Sequence, residues 1–460
     1  MKVLFATAEY APVAVVGGLA AASAGLVDEL RRQGVDVTLV IPDYGNLPLA
    51  NEETFALDVP EWAGPAHARR GVMDGVGFVV LVHTAGIDRP HPYLMASGEG
   101  WPDNDKRFFG FSAAVADVFR RTGADILHLN DWHTAAALAF LPQKPPTVFT
   151  VHTLGYQGST NIGWLDAFPH NADNFEFFGA VNPMAAAFRL ADAIVAVSPN
   201  YADEIRRPHS GSALDGMLRD RGDAVHGILN GIDTTAWDPS RDMRIVSTFG
   251  PRSLAGKEAC RSALRRELNL PDATGPLVAM VSRLTEQKGV DIALECAPYL
   301  ASMDAQLVVL GAGDASLAQA LDRAAVEQPT RIAFRNGYDE SLAHRITAGA
   351  DLFLMPSRFE PCGLAQMQAM RYGTIPVVTN VGGLHDTVID LDMHPETGTG
   401  FVAQTVQPVS VLDALHRAAK AWSNKSRRRG AQKRGMQVDW SWRVPARQYV
   451  ALYEKFTSHG

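Results

Sequence analysis

Short apolar runs alternate with longer amphipathic stretches along most of the chain. Near the N-terminus, this pattern predicts strands at Lys2–Thr7 and Val35–Ile41 on either side of a helix, Leu19–Arg32, that is rich in small residues. Continuous apolar runs without strict alternation are typical of strands buried on both faces, as in parallel sheets. The sequence therefore predicts an α/β fold in which helices connect parallel strands.

The predicted strands form two successive series. The first adds Phe78–His83, Ile126–Leu129, Thr147–His152 and Ile194–Ser198, and the second comprises Val278–Val281, Leu307–Leu310, Ile332–Phe334, Leu352–Met355 and Pro376–Thr379. Between them, Asp233–Ser253 carries Gly, Pro and Asp at turn positions, which is typical of a linker. We therefore expect two doubly wound domains facing across a deep cleft, residues 1–240 and 250–435, and a C-terminal helix over 436–460 that crosses back to the first domain.

Composition narrows the class of protein. Hydrophobic residues make up 47% of the chain and the net charge is −8, which gives no reason to expect nucleic acid or an anionic membrane as a partner. Cys260, Cys296 and Cys362 show neither a disulfide framework nor metal-site spacing. No apolar run is long enough to cross a bilayer, and the N-terminus has the pattern of a first strand rather than a signal peptide. We expect a cytoplasmic protein.

The stretch from Asp351 to Val388 carries the most informative candidate chemistry. It is predicted to contain a strand, a polar loop with Glu360, a helix from Leu364 that stops at Gly373, a second strand, and a tight turn at Gly382-Gly383. A loop that follows a parallel strand and leads into a helix is a common place for anionic ligands, and a carboxylate there can hydrogen-bond sugar hydroxyls. An ordinary strand–helix connection with a surface glutamate is an equally open interpretation.

Two segments of the first series also place polar groups after strands. Gly17-Gly18 opens the first helix, although the sequence there is not the GxGxxG dinucleotide motif. The segment HLNDWHTA places Asp131 at the carboxyl end of a predicted strand. From the residues alone, the chain is interpreted as two α/β domains with a ligand site.

Several segments closely resemble the bacterial glycogen synthases and plant starch synthases, and they occur in the same order. They include HLNDWHTA, TVHTLGYQG, VSPNYADEI, ILNGIDTTAWDP, SRLTEQKGVD, SRFEPCGL, MRYGTIPVV, GGLHDTV and DWSW. The resemblance covers nearly the whole chain. It implies the GT-B fold of two Rossmann-like domains, with the nucleotide-sugar donor held mainly by the second domain and the glucan acceptor by the first.

The resemblance also implies a reaction. Glucose would pass from a nucleotide-sugar, for which ADP-glucose is favoured over UDP-glucose, to the 4-OH at the non-reducing end of an α-1,4-glucan, with retention of the anomeric configuration. No metal and no cofactor are implied. Fixed cations would then have to stabilise the negative charge that develops on the departing diphosphate.

Specific residues match the family's functional positions. Arg283 and Lys288 match two phosphate-binding cations, and Glu360 matches a carboxylate that contacts the donor glucose. The predicted catalytic set is Glu360, Asp131, His152, Arg283 and Lys288. The predicted donor-binding set is Gly17, Gly18, Arg283, Lys288, Tyr338, Glu360, Cys362, Gly363, Leu364, Gly382 and Gly383. Within it, Tyr338 is expected to stack on the nucleobase, with core packing as the rival interpretation.

Three departures from the family pattern lie in the first series. In the first loop, which leads into Gly17-Gly18, Val15 stands where the family has a lysine and Ala21 where it has an aspartate. The segment Val181–Asp192 lacks the family's Lys-Gly-Gly-like stretch, and Asn130 stands where the family often has a histidine. Losing a hydrogen bond from a charged lysine costs about 1.5–3 kcal/mol.

These departures keep two alternatives open. One is a related retaining glycosyltransferase that acts on another acceptor, such as a specialised metabolite or a short oligosaccharide. The other is a weakly active homologue that binds a nucleotide-sugar or a glucan.

Overall fold

The computed structural model describes residues 1–45 and 47–457 of the chain. They form two compact units. Unit 1 comprises Met1–Gly231 and Trp442–Gly460, and unit 2 comprises Ile232–Ser441. The sequence predicts the first boundary between residues 240 and 250 and the second at residue 436. In the structure the first boundary lies earlier, after Gly231, and the second lies later, after Ser441.

Unit 1 is built on one large mixed sheet flanked by helices. Its strands in chain order are β1 (Lys2–Ala6), β2 (Asp36–Pro42), β3 (Ala50–Ala56), β4 (His67–Met73), β5 (Gly77–His83), β6 (Ile126–Asn130), β7 (Thr147–Val151), β8 (Glu176–Phe177), β9 (Ala180–Val181), β10 (Ala193–Ala196) and β11 (Val225–Gly227). Its first helices are α1 (Gly18–Arg32), α2 (Asn104–Thr122), α3 (Trp132–Ala135), α4 (Pro183–Leu190), α5 (Pro199–Glu204) and α6 (Asp215–Asp220). The sheet order is β11-β10-β7-β6-β1-β2-β5-β4-β3, while β8 and β9 form a separate hairpin.

Strands β3 and β4 were not among the predicted strands. They pair antiparallel with each other, and β4 pairs antiparallel with β5 at one edge of the sheet. Strand β3 is almost entirely exposed, and its sequence, ANEETFA, is mostly polar. An edge strand of this kind buries no apolar face, so it leaves no apolar run in the sequence.

Unit 2 contains a second sheet in which all strand pairs are parallel. Its strands are β12 (Leu277–Val281), β13 (Gln306–Gly311), β14 (Ile332–Asn336), β15 (Leu352–Met355), β16 (Ile375–Thr379) and β17 (Phe401–Ala403), in the order β14-β13-β12-β15-β16-β17. Its helices are α7 (Ala255–Glu267), α8 (Val290–Cys296), α9 (Ala315–Glu327), α10 (Glu340–Gly349), α11 (Ala365–Arg371), α12 (Gly382–Thr387), α13 (Pro408–Ser423) and α14 (Lys425–Gln437). The fully or nearly fully buried residues of β12, β13 and β15 form the centre of its core.

The predicted tight turn at Gly382-Gly383 is wrong. These two glycines are the first residues of α12, and Gly382 has a φ of 41°. Glycine adopts such a backbone without steric cost, which makes the pair look like a turn in sequence. The neighbouring helix was predicted from Leu364, and it begins one residue later, at Ala365.

The last helix, α15 (Arg443–Thr457), belongs to unit 1. The segment that leads into it packs against α1, because a Cβ atom at Gly25 would lie 2.0 Å from the indole nitrogen of Trp442. Further along, the Tyr453 hydroxyl lies 2.6 Å from His128 Nδ1, and both side chains are fully buried. Helix α15 is therefore part of the unit 1 core rather than a peripheral tail. Among the described residues, none of the helices is long and apolar enough to span a membrane.

Candidate active site

The large sheet of each unit has a point where the strand order reverses direction, and most of the predicted site residues lie in loops beside it. In unit 2 the chain moves from β12 outward to β13 and β14, then returns to β15 on the other side of β12. In unit 1 it moves outward from β1 to β2 and later returns to β6 on the other side of β1. Loops at the carboxyl ends of strands flanking such a point form the ligand site of open α/β sheets.

In unit 2, the loops after β12 and β15 bring Lys288 and Glu360 together. Lys288 Nζ donates a hydrogen bond to Glu360 Oε2 at 2.6 Å, and the Ser357 hydroxyl donates to the same oxygen at 3.1 Å. The Glu360 side chain is 7% exposed and that of Lys288 17% exposed. A buried carboxylate is therefore held next to a cation by residues 72 positions apart in the chain.

Arg283 lies in the same loop after β12 but is exposed. Its guanidinium lies 3.4 Å from Gln287 Oε1, at the limit of a hydrogen bond. Within the described part of the chain it forms no ion pair with a carboxylate, so its charge is available to an anionic ligand. The loop thus offers one paired and one unpaired cation.

Arg358 joins the loop after β15 to the segment after β12, a role that the sequence did not predict. Its guanidinium donates to both carboxylate oxygens of Asp291 at 2.8 and 2.6 Å, and these bonds lower the pKa of Asp291. Its amide donates to the Gln287 carbonyl at 2.8 Å. A Cβ atom at Gly289 would lie 2.1 Å from the Pro356 carbonyl oxygen, so the loops lie in direct backbone contact. The sequence SRFEP, with its rigid proline, indicated a fixed loop, but residue spacing could not identify Asp291 as the partner of Arg358.

Gly382 and Gly383 allow the N-terminus of α12 to pack on the Glu360 loop. A Cβ atom on Gly382 would lie 1.9 Å from the Glu360 carbonyl oxygen, and one on Gly383 would lie 2.0 Å from that of Cys362. The Gly383 amide also donates to the Glu360 carbonyl at 3.0 Å. These glycines therefore position the loop, whatever contact they make with a ligand.

The remaining predicted residues of unit 2 occupy different surroundings. Cys362 is a buried cysteine outside any disulfide. Gly363 has a φ of 71°, and its carbonyl accepts a hydrogen bond from the Gln366 side chain at 2.8 Å. Leu364 caps α11 through its backbone alone. Tyr338 follows β14 at the edge of the sheet and is 78% exposed, so core packing does not explain it.

In unit 1, Asp131 and His152 follow the neighbouring strands β6 and β7. Asp131 has a φ of 52°, and its Oδ1 accepts a hydrogen bond from the His152 amide at 2.7 Å. Burial raises the pKa of Asp131 to about 7, although hydrogen bonds from the amides of His152 and Thr153 oppose this shift. The carboxylate therefore fixes the main chain at His152 directly after the strand.

Asn130 determines which nitrogen of the His152 ring carries the proton. The Asn130 side-chain nitrogen donates to the Ala6 carbonyl at 3.0 Å, which leaves its oxygen facing His152 Nε2 at 3.0 Å. An amide oxygen only accepts, so Nε2 carries the proton and Nδ1 is unprotonated in this arrangement. Burial lowers the pKa of His152, and the ring is neutral at neutral pH.

The loop at Gly17-Gly18 is tied down internally by Glu9, which sequence reasoning missed. Glu9 Oε2 accepts hydrogen bonds from the amides of Val16 and Gly17, both at 2.9 Å, and Oε1 accepts from the Tyr93 hydroxyl at 2.8 Å. The amides of Val16 and Gly17 are therefore already bonded, and Gly17 binds an anion through its amide only if Glu9 moves. An acidic residue soon after a buried strand was the available signal.

Comparison with known proteins places the chain in a family. The model of the starch synthase catalytic domain matches residues 2–220, and that of glycosyl transferases group 1 matches residues 262–436. Glycogen synthase from Halorhodospira halophila is 41% identical over 477 residues, covering 99% of this chain and 99% of that protein. Glycogen synthase from Anaeromyxobacter dehalogenans strain 2CP-C is also 41% identical, over 486 residues, covering 98% and 99% of the two chains.

Solved structures agree with this placement. The catalytic domain of starch synthase IV from Arabidopsis thaliana, bound to ADP and acarbose, superposes with a TM-score of 0.89 at 30% identity and covers 99% of both chains. Sucrose-phosphate synthase from Thermosynechococcus elongatus superposes with a TM-score of 0.65 at 18% identity, which supports the fold alone. The chain belongs to the glycogen and starch synthase family, and it is a glycogen-synthase-like glucosyltransferase with the GT-B fold.

Proposed function

We propose that the protein transfers glucose from ADP-glucose to the non-reducing 4-OH of an α-1,4-glucan with retention of configuration. The observation that carries this proposal is the grouping of Lys288, Glu360 and Arg283 at the strand-order reversal of unit 2. Two cations suit a diphosphate, and a buried carboxylate suits sugar hydroxyls. The ADP in the related starch synthase IV structure supports the choice of nucleotide.

Charge development explains why both cations are needed. As the bond between glucose and diphosphate breaks, negative charge accumulates on the departing phosphate oxygens. Preorganised cations stabilise this charge in the transition state more than in the ground state, which accelerates the reaction. Arg283 and Lys288 supply that charge, so the proposed reaction invokes neither a metal nor another cofactor.

Unit 1 supplies the groups proposed to act at the sugar. Asp131 orients the main chain of His152 through the 2.7 Å hydrogen bond to its amide. The adjacent His152 carbonyl then faces a fixed direction and can stabilise positive charge on the anomeric carbon, while the neutral ring adds no repulsive charge. We further propose a cytoplasmic location, which suits three buried cysteines that form no disulfide.

A transfer assay tests the proposal. Radiolabelled ADP-glucose and UDP-glucose are each offered with glycogen and with maltooligosaccharides, and incorporation into glucan is measured. Robust incorporation from ADP-glucose is expected. Arg283→Ala and Lys288→Ala should each lower turnover by orders of magnitude, because each removes a charge-assisted contact to the leaving group.

The control is Lys420→Ala, which removes an exposed lysine of α13. This variant should transfer glucose at close to the wild-type rate. If Arg283→Ala and Lys288→Ala also stayed near the wild-type rate, the assignment of the diphosphate site would be wrong.

A second candidate function rests on the first loop. Val15, at the family's lysine position, is 58% exposed, and Ala21, at the aspartate position, is exposed as well. These changes favour transfer of glucose to a different acceptor, such as a short oligosaccharide or a specialised metabolite. Consumption of ADP-glucose without growth of glycogen or maltooligosaccharides would support this candidate over the first.

A further inference from the structure

Unit 2 has a second cluster of cationic side chains, at the edge of its sheet opposite to Glu360. A cleft opens there beside α7, α13 and α14, with about 340 Å³ of empty space, part of which is open to solvent. Asp351 lines the cleft and directly precedes β15, whereas the Glu360 loop follows the other end of that strand. Strand β15 has four residues and therefore spans about 13 Å. The cleft and the proposed donor site are thus separate places in unit 2.

The cleft carries more positive than negative charge. Its charged lining residues are Lys257, Glu258, Arg261, Asp351, Arg428 and Arg429. Lys257 Nζ already donates to the Ala348 carbonyl at 3.0 Å and to Thr374 Oγ1 at 2.6 Å, and burial lowers its pKa to about 7. Even with Lys257 neutral, three guanidinium groups remain against two carboxyl groups. The net charge of the whole chain is −8, so this positive surplus is a local feature.

Arg261 has donor groups that the fold does not use. Its Nη1 lies 3.5 Å from Asp351 Oδ2, which is longer than a normal hydrogen bond. Its Nε is buried and has no hydrogen-bond partner among the residues that the structure describes. A buried donor without a partner is unfavourable and indicates a bound water or ion that completes it. In a cleft with surplus positive charge, an anion is the better of these two partners.

Trp422 holds two of the guanidinium groups near one another. Arg428 Cζ lies 3.8 Å from the centroid of the indole ring, and Arg261 Cζ lies 5.5 Å from it. Burial lowers the pKa of Arg428, and the positive charges of Arg261 and Arg429 lower it further, although Asp351 opposes this shift. Cations that repel one another at short range are stabilised when an anion binds between them. Guanidinium groups also match the oxygens of a phosphate in pairs.

We propose that this cleft binds a phosphate group, either as inorganic phosphate or as the phosphate of a small metabolite. Its oxygens would accept hydrogen bonds from the guanidinium groups of Arg261, Arg428 and Arg429. The occupant would lie at the far end of β15 from Glu360, so it would stabilise unit 2 rather than take part in glucose transfer. This inference is independent of the proposed function, since it involves none of the residues assigned to the reaction.

The test measures how far phosphate stabilises the full-length protein. The melting temperature is recorded with about 20 mM inorganic phosphate and with sodium chloride at the same ionic strength, so that general screening cancels. We expect phosphate to raise the melting temperature of the wild type by a few degrees. Glycerol phosphate is the second probe. A larger rise with this ester would identify a phosphorylated metabolite as the occupant, and a larger rise with inorganic phosphate would identify the free ion.

Two substitutions in the cleft are compared with a matched control. Arg429→Glu reverses an exposed charge of the cleft, and Arg261→Gln removes the unpaired buried donor. The rise caused by phosphate should fall by at least half in the first variant and disappear in the second. Lys433→Glu makes the same change of charge at an exposed position of α14 that does not line the cleft. This variant should keep the wild-type rise.

Arg283→Ala shows whether phosphate binds at the proposed donor site instead. The rise should persist in this variant, because Arg283 lies in the loop after β12 and not in the cleft. A wild type that phosphate does not stabilise would overturn the inference. So would a rise that is lost in Arg283→Ala but kept in Arg429→Glu and Arg261→Gln, or one that falls equally in Lys433→Glu and Arg429→Glu.

Discussion

At the scale of single residues, the loop that leads into Gly17-Gly18 lacks a positive charge that the family has at position 15. Val15 is exposed, and the next two amides are hydrogen-bonded to Glu9. The loop is therefore already ordered by an internal carboxylate, and a lysine at position 15 would extend from an ordered backbone. Sequence comparison with the family identified the missing lysine, but only the structure shows what holds the loop in its place.

Val15→Lys should raise kcat/KM for the nucleotide-sugar by roughly tenfold or more, because a charge-assisted hydrogen bond contributes about 1.5–3 kcal/mol. The measurement is the initial rate of glucose transfer at subsaturating donor. Ala21→Asp, which restores the other family residue without adding a cation, is the comparison. An unchanged or lower rate in Val15→Lys would mean that this loop does not approach the donor.

Asp131 makes folding stability depend on pH. Burial raises its pKa from 3.8 in the unfolded chain to about 7 in the folded protein. Its contribution to stability is thus complete below pH 3.8 and is lost as the pH rises through 7, where the folded protein must hold a buried charge.

Asp131→Asn removes this titration. Its free energy of unfolding should rise relative to that of the wild type as the pH increases from about 4 to 8, as measured by urea denaturation at several pH values. The buried His128 and His133 have pKa values lowered to about 3, so they destabilise the fold as the pH falls below 6.5 in both proteins and cancel in the comparison. A constant difference across the range would contradict the raised pKa.

At the scale of elements, the loops that follow β12 and β16 both pack through glycine on the loop that follows β15. Gly289 lies against Pro356, and Gly382 and Gly383 lie against the backbone of the Glu360 loop. The position of Glu360 therefore depends on close backbone contacts that no side chain at these glycines would allow.

Gly383→Ala should displace the Glu360 loop, since the added methyl group would lie 2.0 Å from the Cys362 carbonyl oxygen. We expect a loss of about 1–3 kcal/mol in unfolding free energy, typical of overpacking, and a larger proportional loss of transfer activity. Gly250→Ala is the control, because a Cβ atom there meets nothing within 4 Å. Wild-type activity in Gly383→Ala would show that the loop tolerates the shift.

The sequence predicted the buried elements well and the close contacts poorly. Strand β15 has the predicted bounds, Leu352–Met355, because an apolar run this short, followed directly by a proline, fits a buried strand better than a helix. The predicted α/β class and the GT-B fold are confirmed. The roles of Glu9 and Arg358 were missed. Glu9 binds the amides of Val16 and Gly17, and Arg358 binds Asp291. The partners of a polar side chain depend on three-dimensional packing, which local periodicity does not reveal. Gly382-Gly383 was predicted to be a tight turn but begins α12, because glycines that allow a positive φ occur both in turns and at the start of this helix.

At the scale of the whole molecule, the two units differ in how the chain builds them. Unit 2 is one continuous segment, Ile232–Ser441, whereas unit 1 needs residues from both ends of the chain. The α15 residues Ala446, Tyr449 and Tyr453 are almost fully buried in the unit 1 core. Removing them would expose a large apolar face and leave the buried His128 ring without the Tyr453 hydroxyl.

Separate expression of the two units tests this arrangement. Residues 232–441 alone should show a cooperative thermal transition by circular dichroism, because their core is complete. Residues 1–231 alone should show none, and adding a peptide of residues 442–457 in trans should restore it. Cooperative unfolding of residues 1–231 without the peptide would mean that α15 is dispensable for the unit 1 core.

The course of protein synthesis gives the position of α15 a further meaning. The roughly 210 residues between Gly231 and the start of α15 take a ribosome roughly 10–40 s, since it adds about 5–20 residues each second. During that interval the first unit to leave the ribosome still lacks a piece of its interior, whereas unit 2 needs nothing that is made later than itself. Unit 1 is therefore translated first but completed last. Until α15 is made, the apolar face that it covers stays exposed, and we expect chaperones to bind there.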